Sequence, residues 1–319
     1  MKTELKIKFY YFLIGLLASV NIKNCFGNVE EYVQTNSIQK QNVDEKIGQL
    51  VNEIILTENK IKELKELSLL ERRDFLCKEE ISQPLEIQKQ LKCRYVNRGV
   101  PFLKIAPFKE EELYLEPRIV MFHDVIYDKE IDIFMNLTKP KLYKAEVKRF
   151  LEKSEVDESH RVTQIGWLYD FEHEYVKTLN YRIKDMTNLN IDTAEQLQVS
   201  YYEIGGHYAP HYDFALEGDT TFFDDRIGNR IATVLFYLND VEKGGHTVFT
   251  ELNISLKPKK GAAAFWYNLK PNGKVDNSTM HSACPVISGF KWAANKWLHT
   301  VGQEFSRPCS RNNETIILN

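Results

Sequence analysis

A chain of 319 residues has room for one large β domain with a smaller module beside it. Hydrophobic residues at 43% and aromatics at 12% describe an ordinary globular protein with enough apolar surface for a packed core. The formal charge of −3 at pH 7, with acids and bases mixed throughout, gives no electrostatic footprint for a nucleic-acid partner.

The N-terminus reads as a processing segment. Lys2, Lys6 and Lys8 flank an apolar run from Phe9 to Val20 that is too short to span a bilayer comfortably, which argues against a membrane anchor. Cys25-Phe-Gly27 offers small residues where a signal peptidase reads, placing cleavage before Asn28. Residues 28–70 form a helical segment. Ile47, Leu50, Ile54, Thr57, Ile61 and Leu64 recur at heptad spacing, either as one amphipathic helix packing on its own domain or as a short dimerising coiled coil. Residues 71–117 carry Pro84, Pro101, Pro107 and Pro117 and read as a disulfide-pinned connector.

From residue 118 to the C-terminus the pattern is that of a larger domain. Ile119–Phe122 is strand-like, helices are expected at Asp128–Leu137 and Tyr175–Thr187, and short strands dominate after Ala194. The strands expected are Leu197–Tyr202, Ile231–Tyr237, Gly261–Tyr267 and Lys296–His299, rich in β-branched and aromatic residues. Many short strands behind a few helices imply an α+β chain built on a closed or double-sheet barrel of the jelly-roll or cupin kind.

Removal of the leader leaves Cys77, Cys93, Cys284 and Cys309 in an oxidising compartment, where they permit three pairings. Sequence proximity favours Cys77–Cys93 and Cys284–Cys309. The sequons at Asn136, Asn253, Asn277 and Asn313 fit the same secretory route.

One cluster carries chemistry. His211 and Asp213 stand two apart, so a strand would project both from one face. With His281 from a neighbouring strand they make two imidazoles and one carboxylate on one side of an ion, a set that leaves positions open and suits non-haem Fe(II) oxygen chemistry. Lys291 then stands ready to pair, as a compact cation, with the far carboxylate of an acidic co-substrate. His207 shares strand parity with His211, but no carboxylate lies at the matching offset from it. Trp266, Tyr267 and Trp292 read as packing aromatics.

The text around these residues is dense: Phe-His-Asp124, Ala194-Glu-Gln-Leu-Gln-Val, Gly-Gly-His-Tyr-Ala-Pro-His211-Tyr-Asp213-Phe, Gly228-Asn-Arg-Ile-Ala-Thr, Gly244-Gly-His-Thr-Val-Phe, Ala264-Phe-Trp-Tyr-Asn-Leu, His281-Ser-Ala-Cys-Pro and Asn295-Lys-Trp-Leu-His. Over about three quarters of its length the chain resembles the catalytic region of the α subunit of collagen prolyl 4-hydroxylase. The resemblance implies a double-stranded β-helix, iron held by His211, Asp213 and His281, and 2-oxoglutarate held through its C5 carboxylate by Lys291. It further implies that Tyr202 and Thr247 hydrogen-bond the co-substrate, that His299 serves the same site, and that Trp297 lies near a peptide groove. Peptidyl-proline 4-hydroxylation with O2 and L-ascorbate, the endoplasmic reticulum lumen, and protein disulfide isomerase as a β subunit follow as expectations. Only some forty residues separate the predicted cleavage site from the match, so the peptide-binding repeats of such subunits are not expected here, and weaker binding of long collagen-like chains is. Two other readings are a hydroxylase of another secreted proline-containing peptide, and a silent paralogue acting as a binding subunit; the latter predicts loss of a ligand or of Lys291, and none is lost.

Overall fold

The computed structural model of the chain describes residues 68–78, 83–146, 160–216 and 226–310, with scattered helical positions between 46 and 56. The chain divides into units at residues 1–55 and 56–319. The leader, the heptad positions Ile47 to Leu64 and the Asn313 sequon lie outside the described residues.

The second unit opens with helices α1 (Leu69–Lys78) and α2 (Leu85–Gln88), then strands β1 (Cys93–Val96), β2 (Phe108–Tyr114) and β3 (Ile119–His123). Helix α3 (Asp128–Thr138) precedes β4 (Tyr143–Lys144), β5 (Arg161–Val162) and β6 (Gln164–Leu168), and α4 (Glu174–Thr187) follows. The strands that build the site come next: β7 (Leu197–Tyr202), β8 (His207–His211), β9 (Arg230–Tyr237), β10 (Lys243–Gly244), β11 (Thr247–Phe249), β12 (Ile254–Leu256), β13 (Ala263–Tyr267), β14 (His281–Ala283), β15 (Val286–Ser288) and β16 (Lys291–His299).

They form a large antiparallel sheet in the order β1-β2-β3-β13-β9-β16-β7-β6-β4 and a smaller one in the order β12-β11-β14-β8-β5. This is a double-stranded β-helix with supporting helices. Alternation decides which side of each strand does what. On β16, Trp292, Ala294 and Leu298 pack with Val176, Leu179 and Ile183 of α4 in one cluster. Lys291, Ala293, Asn295, Trp297 and His299 take the other face by strand parity. The inner cluster of Leu235, Tyr237, Phe249, Trp266 and Ala293 fills the space between the sheets and forms the floor of the site.

Two expectations are corrected. Residues 71–117 are more than a connector, because β1 and β2 extend the large sheet through β3. Buried Glu110 on β2 ties that edge together by accepting from Arg94, Arg98 and Arg118. The disulfide is Cys77–Cys284, with Cα atoms 5.5 Å apart, while Cys93 and Cys309 are exposed thiols. Short loop closure is therefore not what selects the pair. Leu76 of α1 is fully buried against Val248 and Cys284, and docking that apolar side chain sets Cys77 beside its distant partner. Of the sequons, Asn136 and Asn277 are exposed, whereas Asn253 turns its amide oxygen inward.

Candidate metal and co-substrate site

His211 closes β8 and His281 opens β14, and the two are cross-strand partners. Strand pairing thus brings the histidines together across seventy residues of chain. Asp213 lies just beyond the end of β8, in a bend instead of on the strand as its spacing suggested. It still converges: the donor atoms of His211, Asp213 and His281 all lie within 4.8 Å of one another. Nε2 of His211 is 3.8 Å from Asp213 Oδ1, and Nε2 of His281 is 3.6 Å from Oδ2.

Each donor is aimed by a second bond. His211 Nδ1 faces the Ala209 carbonyl at 2.8 Å and His281 Nδ1 the Thr279 carbonyl at 3.0 Å, so each ring turns Nε2 toward the shared point. Desolvation in the cavity, with His281 alongside, holds His211 well below the usual imidazole range and favours the neutral ring that binds metals. Burial pushes the Asp213 carboxyl up, but His281, His211, Arg230 and the Thr233 hydroxyl together bring it below its ordinary value. Two imidazoles and one carboxylate fit a divalent transition-metal ion, and Fe(II) most naturally.

Lys291 lies on the inner face opposite Tyr202. Only 2% exposed, it donates to the Gly245 carbonyl at 2.7 Å, with the rings of Tyr202 and Tyr237 5.5 and 5.6 Å away. Gly245 has a φ of +69°, which suits glycine and turns its carbonyl toward the ammonium. Burial alone pulls the lysine down to about 7. Thr247 accepts from the Tyr237 hydroxyl at 3.0 Å on the same inner side. Among the described residues no carboxylate lies beside this cation, an arrangement that suits an anion.

Residues 197–299 match the 2OG-Fe(II) oxygenase superfamily profile. The match runs from the start of β7 to the end of β16. Prolyl 4-hydroxylase subunit alpha-1 of Homo sapiens is 46% identical over 244 residues, 75% of this chain and 46% of the relative. The same subunit of Gallus gallus is 47% identical over 249 residues, 76% of this chain and 48% of the relative. This chain therefore spans about half the length of the curated relatives it matches. Among solved structures, a viral collagen prolyl hydroxylase from Paramecium bursaria Chlorella virus-1 is 27% identical, covering 57% of this chain and 96% of that one, with a TM-score of 0.46.

The oxygenase domain carries a third group of residues beside the metal point. Arg230 forks onto Glu195 through Nε and Nη2, lays its guanidinium 4.0 Å over the Trp297 ring, and donates to the Asp213 carbonyl. His299 sets Nε2 3.0 Å from Glu195 and Nδ1 2.8 Å from the Gly228 carbonyl. A Cβ at Gly228 would meet the Thr300 hydroxyl at 1.9 Å, so only glycine fits. Burial pushes Glu195 up, yet Arg230 and His299 bring it to about 2. Tyr208 stacks on His211 with ring centroids 3.6 Å apart, and Arg161 lies 4.4 Å over Tyr208.

The structure brings His211, Asp213 and His281 together, pairs Tyr202 with Lys291 across strands, and sets Thr247 against Tyr237, Trp297 against Arg230 and His299 against Glu195. His207 is half-buried and hydrogen-bonds the Gly205 carbonyl, and it is not among the clustered donors. Sequence reading missed Tyr208, Glu195, Arg230, Thr233 and Tyr237 as functional neighbours. The motifs containing Glu195 and Arg230 were visible; their mutual pairing across 35 residues was not.

Proposed function

We propose that this chain is a peptidyl-proline 4-hydroxylase that uses Fe(II), O2 and 2-oxoglutarate. The observation that carries the reading is a three-donor metal point together with a buried Lys291 that has no carboxylate beside it among the described residues. A ligand with two carboxylates spans such a surface, one end near the metal and the other on the ammonium. In this reading His211, Asp213 and His281 hold the ion, Lys291 pairs with the C5 carboxylate, and Tyr202 and Thr247 offer it hydroxyl groups. When bound, iron and 2-oxoglutarate supply oxidative decarboxylation to succinate and CO2, with one oxygen atom placed on a substrate C–H carbon.

The chain's own residues bind and orient. Tyr208 and Trp297 present ring surfaces against which a proline ring packs. Arg230, fixed by Glu195 and stacked over Trp297, lines the wall along which an extended peptide would lie, and His299 braces Glu195 from behind. The inner apolar cluster keeps water from the reacting atoms.

The relatives named prolyl 4-hydroxylase subunits support a proline-containing, collagen-like secreted polypeptide as substrate. L-ascorbate keeps the iron reduced. Residence in the endoplasmic reticulum lumen, a protein disulfide isomerase partner, glycosylation at the exposed Asn136 and Asn277, and self-association through residues 43–70 complete the proposal. The test is succinate release from the purified chain with Fe(II), 2-oxoglutarate and a panel of proline-containing peptides, with mass analysis of each peptide. Peptide-dependent succinate and a +16 Da proline are expected. Decarboxylation with no modified proline in any peptide would overturn the substrate class.

A further inference from the structure

Asp213 is the one metal donor whose carboxylate is held by a chain of side chains instead of a backbone carbonyl. Oδ2 accepts from the Thr233 hydroxyl at 2.7 Å, and Thr233 Oγ1 in turn accepts from Asn268 Nδ2 at 3.0 Å. All three are buried, at 4%, 1% and 0% exposure. Strand geometry puts them in line. Thr233 shares the inner parity of β9 with Leu235 and Tyr237, and Asn268 continues the inner parity of Ala264 and Trp266 just past β13.

The chain has a direction. An amide nitrogen only donates, so Thr233 receives a hydrogen from Asn268 and has its own single hydrogen left for Asp213. That hydrogen engages Oδ2, which also lies 3.6 Å from His281 Nε2, and leaves Oδ1, 3.8 Å from His211 Nε2, outside this bond. Asn268 makes this bond while its Oδ1 remains buried without a hydrogen-bond partner among the described residues. A buried amide half satisfied is expensive to keep, and it is intelligible where the other half does a job.

We propose that Thr233 and Asn268 are positioning residues that fix the rotation of the Asp213 carboxylate between His211 and His281, and so set the orientation in which it meets the metal. This rests on the metal reading above. The fold itself makes no demand for a hydroxyl here, since valine has the same shape as threonine and suits a strand equally well.

The test is Mn(II) binding to the full chain without co-substrate, followed by electron paramagnetic resonance, beside thermal unfolding of the same samples. Thr233→Val should weaken Mn(II) roughly tenfold to a hundredfold, and should also unfold earlier because it strands the buried Asn268 amide and Asp213 Oδ2. Thr233→Ser keeps the hydroxyl but loses a methyl, and should unfold earlier while binding Mn(II) within about threefold of the parent. Asn268→Ala should weaken binding by a smaller factor, and should add nothing in the T233V background. The proposal is overturned if T233V binds Mn(II) like the parent, or if affinity follows unfolding temperature across the three variants. Failure of the parent itself to bind Mn(II) would instead overturn the metal reading, and this proposal with it.

Discussion

The two ends of the cavity are built on opposite plans. At the metal end every donor already has its second bond: His211 to Ala209, His281 to Thr279, Asp213 to Thr233. At the other end Lys291 has, among the described residues, one carbonyl for company and no carboxylate, and burial holds it near 7. The first end is finished before its ligand arrives, because metal coordination tolerates little misplacement. The second is left electrostatically incomplete, so that an incoming anion relieves a strain the free protein carries. Rigid geometry therefore serves the cation, and unsatisfied charge serves the anion.

The largest test of this contrast is removal of a metal donor. Asp213→Ala or His281→Ala should abolish succinate release and Mn(II) binding together, because two donors do not hold the ion in an open three-point site. Retained turnover in either variant would show that the metal lies elsewhere. Lys291→Ala should act at the other end alone. Truncating one member of a buried charge pair typically costs ~2–5 kcal/mol, so the 2-oxoglutarate requirement should rise on the order of 100-fold. Mn(II) affinity without co-substrate should stay within about threefold of the parent. A parallel loss of metal would mean that the two ends are one coupled unit.

How far the sequence reveals each end follows the same division. Donor types and strand parity make His211, Asp213 and His281 readable, because period-two spacing survives without any knowledge of partners. Lys291 is readable because an ammonium in the apolar stretch Gly-Phe-Lys-Trp needs a reason to be there. Thr233, Asn268 and Tyr237 look like ordinary strand residues; only the register of β9 against β13 aligns the first with the second. The helices at 128–138 and 174–187 were legible from their apolar faces, whereas β1 and β2 were not. Those two strands depend on Glu110 finding three arginines, a matter of tertiary contact.

The pH response should distinguish the ends further. Lys291 falls from 10.5 to about 7 in the folded protein, so between those values the unfolded chain binds more protons. Stability of the ligand-free protein should then rise with pH from about 7 toward 10.5, and the full penalty should be present below 7. The shift corresponds to at most roughly 5 kcal/mol. Lys296, lowered to about 8 by burial on the helix-packed face, acts in the same direction, so the comparison must be made against Lys291→Met. That variant should unfold at higher temperature at pH 7 and lose most of the rise. Binding of 2-oxoglutarate should follow the opposite trend in the parent, weakening by up to about tenfold per pH unit above 7, because the anion selects the protonated lysine. A flat affinity across pH 7–9 would show that Lys291 is charged already in the free site.

The smallest expected effect on either end comes from the disulfide, although it lies only three residues beyond a metal donor. Cys284 points to the outer face of the small sheet, where it meets Leu76 and Val248, while His281 points inward to Trp266 and Phe249. The bond therefore braces the outside of the sheet that carries the ligands. It joins residues 207 apart in sequence, which in the chain-entropy treatment stabilises the fold by roughly 5 kcal/mol. Cys77→Ala should accordingly lower the unfolding temperature by on the order of 10 °C. Mn(II) affinity and the 2-oxoglutarate requirement should both stay within about threefold, because the inward bonds of His281 and Asp213 do not pass through the sulfur. Non-reducing peptide mapping should link Cys77 to Cys284 and leave Cys93 and Cys309 free to alkylate. Finding Cys77–Cys93 and Cys284–Cys309 links instead would mean that α1 is held against the small sheet by Leu76 and the Arg72 contacts with Thr250 and Glu251, and the loss of stability in C77A should then shrink to that of a short closed loop. A large fall in metal affinity with the correct link in place would mean that the metal end is finished only while its outer face is clamped.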